Sequence, residues 1–171
     1  VPVGQQISSE PISSPAEWEI VFWQCIVSIH QASLVAALAA MSGVKVTYVA
    51  EEMVSASRQK LGWSVPSLGA AELVLVDSPQ AVAQLLPRFS AQAIHICQGL
   101  RSNGLVGAAQ KLLRQRKARI LINVETIDDH GLLGIIKRAL YAFIVARALP
   151  WADSMLVIGA KTPGWFVRRG F

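Results

Sequence analysis

The chain has 171 residues, is 53% hydrophobic and 16% charged, and carries a net charge of +5. That length suits one domain with a real core, richer in apolar residues and leaner in charge than most soluble domains. No apolar run is long enough for a spanning helix and no basic-then-apolar leader opens the chain, so neither a spanning segment nor a secretory signal is expected.

The start at Val1 rather than Met predicts a processed or cut protein. An apolar bias of this size fits a parallel sheet covered on both faces, whose strands are apolar throughout. A surface normally held against another domain or a membrane would produce the same bias. Residues 1–17, with Gly4, four serines and three prolines, read as a flexible arm. Residues 18–171 read as a single Rossmann-like domain.

Trp18–Ile29 is a first strand whose second half runs into loop. His30–Met41 is an alanine-rich helix with Leu34, Leu38 and Met41 on one face, stopped by Gly43. Val44–Val49 is a short β-branched strand, and Glu51–Leu61 a short helix. Glu72–Val76 is the third strand. Ser78 caps a helix begun by Pro79 that runs to about Leu86.

Ala93–Cys97 is the fourth strand, and a helix opens at Ser102 or Asn103 and continues through Lys117. Arg119–Val124 is the fifth strand, 132–149 a long apolar helix, Ser154–Ile158 the sixth strand, and Thr162–Arg169 a last helix. Strand and helix alternate with short connections throughout. The fold class is therefore α/β, a doubly wound, mostly parallel sheet flanked by helices.

Several kinds of chemistry are disfavoured. Neither a Gly-x-Gly-x-x-Gly nor a Lys-containing phosphate loop follows any strand, so a self-contained nucleotide site is not expected. No Gly-x-Ser-x-Gly elbow is present. His30, His95 and His130 lie on three separate segments, and Cys25 and Cys97 sit singly in apolar runs. No metal site is expected, and the cysteines read as buried free thiols. Between Arg101 and Leu149 nine Lys or Arg face three acids, yet aromatics do not interleave with them, which argues against nucleic acid.

Polar residues collect where strands end. Ser28, His30 and Gln31 follow the first strand. His95 lies in the fourth, followed by Gln98, Gly99 and Arg101. Glu125, Thr126 and Asp128 follow the fifth, with Asp129 and His130 behind them and Gly131 and Gly134 opening the long helix. In a doubly wound sheet these ends share one edge, where ligands bind. Together they predict one polar cleft. The bland alternatives are a core histidine at 95 and helix capping by Asp128 or Asp129.

The chain resembles the N-terminal half of a two-domain, GT-B fold glycosyltransferase of family 4, whose members are retaining enzymes. The residues carrying the likeness are Ile94-His95-Ile96-Cys97, then Glu125 with Gly131 and Gly134 before Lys137-Arg138, then Ala152-Asp153-Ser154-Met155-Leu156-Val157-Ile158-Gly159. The closing Trp165-Phe166-Val167-Arg168-Arg169-Gly170-Phe171 looks like the helix and Gly-Phe that precede the crossing into a second domain. Ile26-Val27-Ser28 stands where a Gly-Gly pair is frequent, Glu125 where many relatives carry His, and Cys97 where a second His is common.

The resemblance implies a hexosyltransferase whose N-terminal domain holds a glycan or lipid-linked acceptor, in polysaccharide or lipopolysaccharide synthesis. It implies that a C-terminal domain, the first partner of this one, grips the nucleotide-sugar, so this part needs no cofactor and transfers no sugar alone. Glu125 would orient acceptor hydroxyls or act as general base. Ser28, His30, Gln31, His95, Gly99, Arg101, Thr126 and Asp128 would bind the acceptor. The location implied is the cytoplasm, with peripheral contact at the inner membrane face through helix 132–149. Burial of that helix on the sheet, its basic ends snorkelling, is the preferred expectation. The competing class is a flavodoxin-like or receiver-like binding module, with Asp77 after the third strand in the phosphoacceptor place.

Overall fold

The computed structural model describes residues 17–101, 103–125, 131–160 and 162–171. Six strands form one parallel sheet: β1 (Trp18–Ile26), β2 (Val44–Glu52), β3 (Glu72–Leu75), β4 (Ile94–Gln98), β5 (Arg119–Glu125) and β6 (Ser154–Ile158). Their order in space is β3-β2-β1-β4-β5-β6. That is the doubly wound dinucleotide-fold order, and its topological switch falls between β1 and β4. Flavodoxin-like and receiver sheets run 2-1-3-4-5 instead. Here β3 is the edge strand, so Asp77 sits two strands away from β1 and not beside it.

The helices are α1 (Ile29–Ala39), α2 (Ala56–Lys60), α3 (Pro79–Leu85), α4 (Gly104–Gln115), α5 (Gly131–Ala148) and α6 (Thr162–Val167), with one 3-10 turn at Leu86–Arg88. Burial on both faces of the sheet explains why its strands are so apolar. Alternate residues of β1 feed two cores: Val21 and Trp23 pack with α3, α4, α5 and α6, whereas Phe22 packs with α1 and Tyr48. Each large side chain withdrawn from water in this way contributes roughly 1.5–3 kcal/mol.

Element boundaries differ from expectation in two informative places. Glu51 and Glu52 extend β2, leaving only Ala56–Lys60 helical after it. Helix α1 turns a different face to the sheet than its large residues suggested. Gln31, Ala32 and Val35 are buried, while Leu34 and Met41 are more than half exposed. The small side chains let the helix approach the strands closely, and that approach carries Gln31 inward. The arm expected over 1–17 lies outside the described residues, Glu17 excepted.

Asp153 shows how a residue of the family-like stretch can be purely architectural. Its Oδ2 accepts from the Ile120 backbone N–H at 2.7 Å while its own N–H donates to the Ile120 carbonyl at 2.8 Å. The pair starts β5 and β6 in register at the end of the sheet away from the cleft.

Candidate functional site

Parallel strands part company at the switch point, and here the parting opens a cavity. The β1–β4 register ends at Trp23 opposite Cys97. Beyond it lies a pocket of about 430 Å³, bordered by the carboxyl ends of β1, β4, β5 and β6 and by the start of α1. Ser28, His30, Gln31, Gly99, Arg101 and Glu125, all expected at the cleft, line it together. Thr126 and Asp128, with the neighbours Asp129 and His130, lie outside the described residues.

His95 does not join them. It is 3% exposed in the middle of β4, and its Nδ1 accepts a hydrogen bond from Trp23 Nε1 at 3.2 Å. The rings of Trp23 and Phe89 pack around it, with centroids 6.3 and 5.8 Å away. Burial pushes its pKa down to about 4, so the imidazole is neutral and acts as a hydrogen-bond acceptor within the core. The physical reason is the strand's two-residue period: at position 95 the side chain faces the α4 side of the sheet, below the rim.

Backbone groups at the β1–α1 turn are already committed. Val27 N–H donates to the Met53 carbonyl at 2.9 Å, and Ser28 N–H donates to Tyr48 Oη at 3.1 Å. Tyr48 Oη in turn donates to the Ile26 carbonyl at 3.1 Å, and burial pushes this phenol up to about 12. Val27 is fully buried where a phosphate loop would carry glycine. A phosphate cradle needs free amides and open backbone. This turn offers neither at Val27 or Ser28.

The N-terminus of α4 is also occupied. Asn103 makes no side-chain cap there; Glu51 Oε1, arriving from the end of β2, accepts from Leu105 N–H at 2.7 Å instead. Gly104 has φ +52°, and a Cβ there would collide with the Glu51 carboxylate. Burial first, then the Glu51 and Glu52 charges, push the neighbouring Cys25 thiol up to about 11. A thiol held protonated at neutral pH is a poor nucleophile, which argues against covalent chemistry at Cys25.

What remains for recognition is a set of neutral amide side chains. Gln24, Gln31, Gln98, Asn103 and Asn123 all border the pocket. Gln98 Oε1 accepts from Cys25 N–H at 2.9 Å, replacing the ladder bond lost where β1 and β4 splay. Gln24 is different. It is 2% exposed, and neither its Oε1 nor its Nε2 finds a partner among the described residues. Gln31 Oε1 is likewise buried and unpartnered among them. Buried polar atoms are paired in the great majority of cases, so three atoms without a protein partner among the described residues make this pocket the leading candidate for a binding site.

Cations stand at the rim. Arg58 of α2 lies 4.6 Å from the Trp63 ring centroid, with the His30 ring against the same tryptophan at 5.6 Å. Arg101 lies 5.5 Å from the ring centroid of Tyr141, itself a lining residue from α5. Glu125 is the one carboxylate lining the pocket among the described residues. No three His, Cys, Asp or Glu side chains gather there to hold a metal ion, among the described residues.

Gln24 was missed in the sequence, though a lone carboxamide inside Trp18–Ile26 was the available signal. Arg58 and Tyr141 reach the pocket from α2 and α5, and nothing local in the sequence announces that. No family model matches this chain, and no curated protein or solved structure matches it either.

Proposed function

We infer that this chain is the acceptor-binding domain of a GT-B type retaining glycosyltransferase, and that the pocket between β1, β4 and β5 receives a sugar of a glycan or lipid-linked acceptor. The observation that carries the reading is the orphaned Gln24 carboxamide at the pocket. A carboxamide presents one donor group and one acceptor, which suits a hydroxyl that both accepts and donates. Five amide side chains around one cavity suit a ring bearing several hydroxyls.

The engaged amides at Val27 and Ser28 support the same reading. With the β1–α1 amides of Val27 and Ser28 engaged and Glu51 on α4, the donor's nucleotide would be gripped by a C-terminal domain. On this reading the present chain binds acceptor, transfers no sugar alone and works in the cytoplasm. In the complete enzyme Glu125 orients the acceptor hydroxyl or takes its proton, as a charged carboxylate beside the reacting oxygen can.

Saturation-transfer NMR of the chain with a panel of mono- and oligosaccharides and nucleotide-sugars tests this. Sugars should receive saturation and shift the side-chain amide signals of Gln24 and Gln31. Binding of nucleotides without any sugar contact to those amides would overturn the reading.

A further inference from the structure

The protein turns large apolar residues of its longest helix outward. On α5, Gly134, Val145 and Ala148 are buried, whereas Leu132, Ile136, Leu140 and Phe143 are 82, 65, 54 and 60% exposed. At helical spacing these four form one stripe on the side opposite the buried one. Leu133 and Ile135 widen it, at 72 and 54% exposed. Single exposed apolar residues need no explanation, but a whole helix face does. The expected burial of this helix therefore holds for one side alone: Gly134, Val145 and Ala148 are buried with Tyr141 and Ile144 packed against the core, while the stripe faces out.

Within the helix itself the charge has one sign. The segment 131–148 contains no acid and carries Lys137, Arg138 and Arg147. Beside its C-terminal half lies a cavity of about 370 Å³ lined by Arg101, Arg114 and Arg147, with no carboxylate among its lining residues. Each guanidinium is braced over a ring: Arg101 on Tyr141 at 5.5 Å, Arg114 on Trp151 at 4.9 Å and Arg147 on Phe143 at 5.7 Å. Helix α6 adds Trp165 against Tyr141, Arg169 at 3.6 Å from the Trp165 centroid, and Val167 at 66% exposure.

An apolar stripe on a helix that carries lysine and arginine and no acid is the composition of a helix lying in a bilayer interface. Among the described residues no helix is long and apolar enough to cross a membrane, so the match is to a helix in the interface plane. We propose that α5 docks flat on an anionic lipid surface, its apolar stripe at the acyl boundary and the Arg101–Arg114–Arg147 cavity receiving lipid phosphates. A second copy of this chain, itself at +5, would bring more positive charge to a basic rim. Phosphate head groups complement it. The inference is independent of what the switch-point pocket holds.

Co-sedimentation of the 171-residue chain with vesicles tests it. Phosphatidylglycerol-containing vesicles should retain the protein and pure phosphatidylcholine vesicles should not. The double variant Ile136→Ser/Phe143→Ser, altered only at exposed positions, should keep its circular dichroism and melting curve while losing retention. Arg114→Gln/Arg147→Gln should weaken binding roughly twentyfold, at about fivefold per basic residue. Equal retention on both lipids, or undiminished retention of the serine variant, would overturn the proposal. So would self-association on sedimentation equilibrium that the serine variant abolishes while vesicles are ignored.

Discussion

Replacing Gln24 by Met separates a ligand-binding amide from a structural one. The two side chains are nearly equal in length and volume, so the exchange leaves no cavity at this 2% exposed position. An amide buried without partners costs the fold roughly 1–3 kcal/mol of desolvation, and Met removes that cost. The expected result is a gain of about 2 kcal/mol in urea denaturation, or roughly 4–8 °C in Tm for a chain of this size. Acceptor binding should fall in the same variant, because the hydroxyl it met loses both of its hydrogen bonds. Stability bought at the site's expense is the signature of a residue kept for function. A loss of stability of similar size would mean that Gln24 supports the fold, and the pocket would lose its main claim to a ligand.

Three further outcomes can be measured. Glu125→Gln, in the enzyme joined to its donor domain, should lower turnover by about a hundredfold while leaving Tm within roughly a degree, as loss of a general base would; turnover within a few-fold of the parent removes Glu125 from the chemistry. The His95 imidazole has its pKa pushed down from 6.5 to about 4 by burial, so the unfolded chain binds the extra proton between those values. Stability should thus decline by up to about 3 kcal/mol as pH falls from 7 to 4, and His95→Asn, which keeps an acceptor for Trp23, should be less stable at pH 7 but flat across that window; equal pH slopes in both proteins refute it. Cys25, raised to about 11 by burial and then by Glu51, should resist iodoacetamide at pH 8, and Glu51→Gln should speed its alkylation at pH 9; rapid alkylation of the parent at pH 8 would contradict the assignment.

The order of elements was legible because alternating apolar runs and helical stretches leave few ways to wind a parallel sheet. Which strand ends share the cleft followed from that order, and it brought Ser28, His30, Gln31, Gly99, Arg101 and Glu125 to one pocket. Depth within a strand was less legible. His95 and Gln98 are three residues apart on β4, yet one is sealed beneath Trp23 while the other stands at the rim. Which side of α1 and α5 meets the core was not legible either. Val35 and Val145 are fully buried with Ala32, Gly134 and Ala148 on the same faces, whereas Leu34, Leu132 and Phe143 are left outside.

Helix α5 links the outward face to the switch-point pocket, since the side opposite its apolar stripe carries Tyr141. Its ring borders the pocket, carries Arg101 on one side and meets Trp165 of α6 on the other. A helix lying on lipid would therefore hold the pocket's Arg101 side close to the head groups, within reach of an acceptor whose sugar enters among the amides while its anchor stays in the bilayer. Such an arrangement replaces a search through solution by one across a surface, and it raises the effective concentration of a lipid-linked acceptor at the site. Free glycans would gain nothing from vesicles. Lipid-linked acceptors should bind more tightly when presented in phosphatidylglycerol vesicles, and the Ile136→Ser/Phe143→Ser variant should erase that advantage without changing its affinity for a soluble sugar. If soluble and lipid-linked acceptors respond alike to that variant, α5 does not couple the bilayer to the pocket.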